Sequence, residues 1–193
     1  MAGGSEQRTA EPGDVCVLVE PTGDDVSEVR RQQRELQGVL GGRIHEPVHL
    51  TVQRFRLGDG RPWQELMRHL LTELGALRSF SVVAVSLAQM EHPFWGSRLL
   101  RWRIGATAGL RAFCKAVEGL LFERGIVPHF PLEGGWEPQY VTALEEIEAG
   151  ELDGRRDVLR FPCRLFEARR VVLSRVEGQR RFRTLGESGL EGW

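Results

Sequence analysis

Lysine is almost missing from this chain. Lys115 is the only one, so 25 of the 26 basic residues are arginines, and any positive surface is built of planar, bidentate donors rather than point charges. An excess of either charge is missing too. The 26 basic and 27 acidic residues leave a net charge of −1, which excludes a molecule-wide field for nucleic acid or membrane and confines any anion site to a local arrangement. No apolar run approaches the ~18 residues of a membrane span, and Met1-Ala2-Gly3-Gly4-Ser5-Glu6 lacks the charged-then-apolar order of a signal peptide. Cysteine is scarce and odd in number. Cys16, Cys114 and Cys163 lie far apart in apolar surroundings, the pattern of buried free thiols in a reducing compartment rather than of metal ligands or a nucleophile. These absences lead to the expectation of a cytoplasmic protein that makes no membrane contact, and a monomer is expected.

What is present suffices for one well-filled domain: 193 residues, 41% of them hydrophobic and 27% charged, in the ordinary soluble range. Residues 1–13 carry Gly, Ser and Pro without periodicity and are expected to form a flexible leader, residues 14–187 the folded domain and residues 188–193 a tail. The most informative stretch is Glu46-Pro47-Val48-His49-Leu50-Thr51-Val52-Gln53-Arg54-Phe55, which alternates, is rich in β-branched and aromatic residues and is entered through proline. Read as a strand, it projects His49, Thr51 and Gln53 from one face and Leu50, Val52 and Arg54 from the other. An imidazole beside a hydroxyl can move a proton and hold a phosphoryl or carbonyl oxygen in one small space.

The other elements follow by pattern. Val15 to Glu20 reads as a buried strand, and Asp24-Asp25 opens a helix that Gly41-Gly42 stops. After a turn at Gly58-Asp59-Gly60, Pro62 suits a first helical position, and Trp63 to Leu77 repeats apolar residues at helical spacing. Phe80 to Leu87 and Leu99 to Ile104 are predicted to pair as a hairpin across His92-Pro93-Phe94-Trp95-Gly96. A third helix carries Leu110, Phe113, Cys114, Val117, Leu120 and Leu121 and ends at Gly125. Pro138-Gln139-Tyr140-Val141-Thr142-Ala143-Leu144 then repeats the form of the first motif strand. Arg170 to Val176 and Arg181 to Leu185 make a terminal hairpin around Glu177-Gly178. The class is α+β with antiparallel or mixed sheets.

Each half thus offers a strand, a helix and a proline-entered second strand, His49-Leu50-Thr51 in one and Tyr140-Val141-Thr142 in the other. This duplication resembles the 2H phosphoesterase superfamily, the bacterial RNA 2',3'-cyclic phosphodiesterases and 2'-5' RNA ligase-like proteins, which carry two His-x-Thr/Ser motifs on central strands of two lobes. The resemblance runs from about Val15 to Leu185. It implies a bilobal fold of two similar halves, with sheets lining a central cleft and helices packed outside. It also implies metal-independent acid–base hydrolysis of a 2',3'-cyclic phosphate on a nucleotide or RNA end, with no cofactor. His49 would be the general acid or base and Thr51 and Thr142 the ligands of the phosphate oxygens. Tyr140 stands where the second histidine belongs. A phenol with an ordinary pKa near ~10 donates hydrogen bonds but is a poor base at neutral pH, so a homologue that binds the same ligand without cleaving it is the alternative.

Other residues carry two readings each. His129, flanked by Pro128 and Pro131, is either a substitute for the missing histidine or a loop residue. Arg101 with Arg103, and Arg181 with Arg183, share strand faces and either line a phosphate-binding groove or sit on solvated edges; Arg98 and Arg180 lie beside them. Trp95, Trp102 and Trp136 can stack a base or fill the core. Tyr140 itself is either a site residue or a core aromatic. His45-Glu46-Pro47-Val48-His49 matches the letters of H-E-x-x-H, but that zinc motif needs a helix, Pro47 interrupts one, and no third ligand follows on an adjoining helix.

Overall fold

The architecture comes from a computed structural model that describes residues 10–57, 63–91, 97–132, 139–147, 159–178 and 181–192. The elements run β1 (Asp14–Glu20), α1 (Asp24–Leu40), β2 (Arg43–Ile44), β3 (Leu50–Arg56), α2 (Trp63–Gly75), β4 (Phe80–Glu91), β5 (Arg98–Ile104), α3 (Ala108–Phe122), β6 (Gln139–Glu145), β7 (Cys163–Ala168), β8 (Arg170–Gly178) and β9 (Arg181–Gly189). The turn at Gly58-Asp59-Gly60, Pro62, the loop His92 to Gly96 with Trp95, Gly134-Gly135-Trp136, Pro138 and Arg180 lie outside the described residues, as does most of the expected leader.

The helices begin and end where local chemistry dictates. Asp24 and Asp25 occupy the first turn of α1, where carboxylates complement the partial positive charge of the helix start. Gly41, at φ 67°, closes it with its N–H on the Gln37 carbonyl. The Thr107 hydroxyl caps α3 by accepting from the Leu110 N–H at 3.3 Å. Gly42 is more tightly constrained: its φ is +80°, and a Cβ there would meet the Glu145 carbonyl at 2.7 Å and the Ile147 side chain at 2.8 Å. Only glycine fits.

All pairings between the named strands are antiparallel and build one nine-stranded sheet, ordered β7-β4-β5-β6-β3-β1-β8-β9 with β2 on β6. The order contains the expected repetition: β6-β5-β4-β7 forms one half and β3-β1-β8-β9 the other. The halves meet along β3 and β6 at a single paired position, Leu50 with Val141. Helices cover one face, with α2 on β8 and β9, α1 on β6 and β7, and α3 on β3 and β4. Beneath them lies the main core, which includes Val15, Val17, Val19, Leu50, Phe55, Trp102, Val141 and Phe166. Trp102 is thus a core tryptophan. On the other face Cys16, Leu18, Val172 and Val176 form a separate small cluster.

Four features depart from the sequence pattern. β2 and β7 are strands that periodicity does not reveal, because one is two residues long and the other mixes charges into its alternation. β9 continues past Leu185 to Gly189, and Leu190 and Glu191 are bonded beyond it to Arg169 and Leu77. β3 begins at Leu50, since Pro47 has no N–H to give a ladder, leaving His49 just before the strand. Cys163 is half-buried rather than buried, although all three thiols are free as expected. Burial pushes the Cys16 and Cys114 thiols up to about 11. Among the described residues no helix is long and apolar enough to cross a membrane.

Leu50 is fully buried where the halves join. Leu50→Ala is expected to cost about 2–5 kcal/mol in urea unfolding; a loss below about 1 kcal/mol would mean that this position does not hold the halves together.

Candidate active site

Leu50 and Val141 are the middle residues of the two motifs, and their pairing sets the positions of the flanking residues. Both side chains point into the core, so His49 and Thr51, like Tyr140 and Thr142, take the opposite face. Counting outward along antiparallel strands brings His49 toward Thr142 and Thr51 toward Tyr140. On the next strand Arg101 stands opposite Thr142 and Arg103 opposite Tyr140.

Two bulges shape this face. The register of β1 and β3 slips after Val17/Leu18, so that Leu18 opposes Thr51 and Val17 opposes Gln53, leaving Val52 without a counterpart. The bulge reverses the expected alternation: Gln53 turns to the core side with Val17, and Arg54 joins Thr51 on the face of Cys16 and Leu18. There Gln53 substitutes for backbone, donating to the Phe130 carbonyl at 2.8 Å and accepting from the Phe130 N–H at 3.0 Å. The second slip, between Leu100 and Arg101, leaves Ala143 unopposed and returns Glu145 to the face of Thr142.

His49 is half-buried, and its Nδ1 lies 2.9 Å from the Pro47 carbonyl oxygen. A carbonyl only accepts, so Nδ1 carries the hydrogen and Nε2 the lone pair of the neutral ring. Burial, then the charge of His45, push its pKa from 6.5 down to about 4; the Pro47 carbonyl opposes them, and Arg101 adds a smaller lowering. The ring is a base that stays unprotonated at neutral pH. Its ring neighbours are Phe182, at 6.4 Å between centroids, and His45, at 5.8 Å.

Arg101 supplies the positive charge. Among the described residues its buried Nε has no hydrogen-bond partner and its Nη1 reaches only the Met90 sulfur, at 3.9 Å. Arg43, Arg56, Arg124, Arg164 and Arg170 all pair with carboxylates, whereas among the described residues no carboxylate pairs with Arg101. Burial lowers its pKa, and Tyr140 opposes that effect. A guanidinium in this state, beside two threonines and a histidine, is suited to receive an anion from outside the protein.

The remaining candidates lie elsewhere. Arg103 opposes Tyr140 but is exposed. On β9 Phe182 faces His49, so alternation turns the exposed Arg181 and Arg183 to the other side of the strand; Arg183 lies 4.0 Å from Glu177. His129 belongs to a group at the far end of β1 and β3. Its N–H donates to the Arg54 carbonyl at 2.7 Å and its Nδ1 lies 4.0 Å from buried Asp14. The Arg54 guanidinium in turn stacks 5.0 Å over Phe130. The segment from His45 to His49 is not helical, so the spacing of H-E-x-x-H does not form.

Sequence reasoning missed His45 and Glu145 as site residues. His45 Nδ1 lies 2.7 Å from Glu145 Oε1, and the second carboxylate oxygen takes Arg43. Only the spacing of four residues to His49 hinted at His45. Glu145 gave no signal, because it reaches this face through the bulge at Ala143.

The comparisons with known proteins rest on shape. No protein-family model and no curated protein matches the sequence. Among solved structures, one described as a phosphoesterase aligns with 93% of this chain and 99% of its own, at a TM-score of 0.57 and 16% identity. Escherichia coli LigT, in a complex with NADP+, gives the same coverage and TM-score at 14% identity. The chain has a 2H phosphoesterase-like fold. Kluyveromyces marxianus Usb1 extends the likeness, covering 91% of this chain and 98% of its own at a TM-score of 0.53 and 15% identity. This architecture, two half-sheets facing each other along β3 and β6, is the one that the paired motifs implied.

Because the folded pKa of His49 is about 4 and its ordinary value 6.5, the unfolded chain binds more protons between those values. Stability is therefore expected to be complete above about pH 6.5 and to fall as the pH drops toward about 4. Urea unfolding across that interval checks it: His49→Gln should flatten the fall, and an unchanged slope in the variant would assign it to other groups.

Proposed function

We propose that this protein hydrolyses a 2',3'-cyclic phosphate on a nucleotide or RNA end by metal-independent acid–base catalysis. The observation that carries this reading is the half-buried Arg101 guanidinium opposite Thr142 and near His49, a cation to which no carboxylate pairs among the described residues. His49 Nε2 takes the proton of the attacking water, while Thr51 and Thr142 hydroxyls and Arg101 hold the non-bridging oxygens on which charge grows. Tyr140 donates a hydrogen bond to the same group. E. coli LigT, similar in fold, has been crystallised with 3'-AMP, with ATP and with phosphate, which supports a nucleotide or RNA terminus as the ligand class. A cytoplasmic monomer needing no cofactor remains part of the proposal.

A second reading has its own observation. Tyr140 takes the position of a histidine, and a site with one proton-transfer group is suited to holding a nucleotide or RNA end rather than cleaving it.

Incubation with 2',3'-cyclic nucleotides in the presence of a chelator separates the two. Turnover should drop on the order of 10²–10⁴-fold in His49→Ala, and the acid limb of kcat/KM should lie near the about 4 of the free enzyme's His49. No turnover above His49→Ala, together with saturable 3'-AMP binding by calorimetry that weakens in Arg101→Met, would favour the binding protein. Absence of both turnover and binding would overturn the site.

A further inference from the structure

The position of Tyr140 leaves the site short of one proton-transfer group, and a second imidazole, that of His45, lies close to His49. Its ring lies 5.8 Å from that of His49, centroid to centroid, with the two planes inclined by 57°. Both rings can therefore reach oxygens of one phosphoryl group. We infer that His45, oriented by Glu145, is the general acid that protonates the leaving ribose oxygen opposite His49. The inference rests on the phosphoesterase reading and names the group that completes it.

Three observations support it. His45 is held as an oriented acid–base residue is held: its Nδ1–H donates to a carboxylate oxygen at 2.7 Å, so that Nε2 is the atom left to exchange a proton. Its backbone is fixed from both sides. The His45 N–H donates to the Ala143 carbonyl at 3.1 Å, and the buried Gln33 amide donates to the carbonyls of His45 and Ala143 at 2.9 and 3.0 Å. The latch fastens His45 to the bulge that turns Glu145 onto the site face. The two histidines also differ in partner: His49 has a neutral carbonyl, His45 a carboxylate that stabilises an imidazolium. Burial lowers the pKa of both rings, and the carboxylate held by His45 alone makes it the better proton donor of the two.

The groups facing His45 are Glu145 on β6, Arg43 on β2, Arg101 on β5, and His49. Arg43 also lies 3.5 Å from Glu146, and Glu46 is taken by Arg30 at 2.9 Å. Burial, the largest influence, with smaller effects of Arg101 and Arg43, holds the pKa of His45 below 6.5, and Glu145 opposes that fall by stabilising the protonated ring. In the reaction water oxygen bonds to phosphorus as its proton passes to His49 Nε2. The bond from phosphorus to one ribose oxygen breaks, and that oxygen takes the proton from His45 Nε2. The product is a phosphate monoester with a free hydroxyl; His49 then releases its proton to solvent and His45 regains one.

The test compares wild type, His49→Ala, His45→Ala, His45→Asn and Glu145→Gln on 2',3'-cyclic nucleotides across pH. Asparagine can keep the hydrogen bond to Glu145 but transfers no proton, so it separates folding from chemistry. Both His45 variants should lose on the order of 10²–10⁴-fold in kcat with KM changed less than about threefold. Glu145→Gln should move the basic limb of the pH profile to lower pH, because the imidazolium loses its carboxylate; a salt link that merely held β2 to β6 would leave the limb in place. Wild-type rates in His45→Asn, with His49→Ala inactive, would overturn the inference and leave the phosphoesterase reading standing. Wild type no faster than His49→Ala would overturn both.

Discussion

The pairing of Leu50 with Val141 is the constraint on which the candidate site depends. It joins the two halves of the nine-stranded sheet through the middle residue of each short motif. Because strand side chains alternate, burying those two residues in the core requires their neighbours to stand together on the opposite face. The hydrophobic effect thus assembles a polar site indirectly. Leu50 and Val141 are driven inward, and His49, Thr51, Tyr140 and Thr142 are carried outward as a set.

Electrostatics then distinguishes the members of that set. Burial makes His49 a weak base, and the charges of His45 and Arg101 weaken it further. Among the described residues Arg101 stays without a carboxylate, whereas the other buried or half-buried arginines mostly find one. Leaving a guanidinium in that condition costs stability, a cost that an incoming anion would offset.

The architecture was legible from the sequence because it rests on local patterns. The spacing of apolar residues gave the three helices, Gly41 and Gly125 marked two of their ends, and the resemblance between Pro47–Thr51 and Pro138–Thr142 gave the two halves. The site was legible only in part. His49, Thr51, Tyr140, Thr142 and Arg101 come together as their motifs and strand pairing imply. Alternation misplaced Gln53 and Arg54, since a bulge is a property of two paired strands and leaves no mark in either alone. His45 and Glu145 are 100 residues apart in sequence, so no spacing rule connects them. Arg181 and Arg183 share a face as read, but the residue between them, Phe182, is the one directed at His49.

Gly42 lies outside the candidate site and carries no side chain of its own. Its missing Cβ is nevertheless what lets the chain pass against the Glu145 carbonyl and Ile147. The carboxylate beside His45 is consequently set by backbone at a position with no chemistry of its own. A side chain at residue 42 would meet the backbone of residue 145 whatever side chain stands there, so a change at the glycine displaces the strand end that carries Glu145.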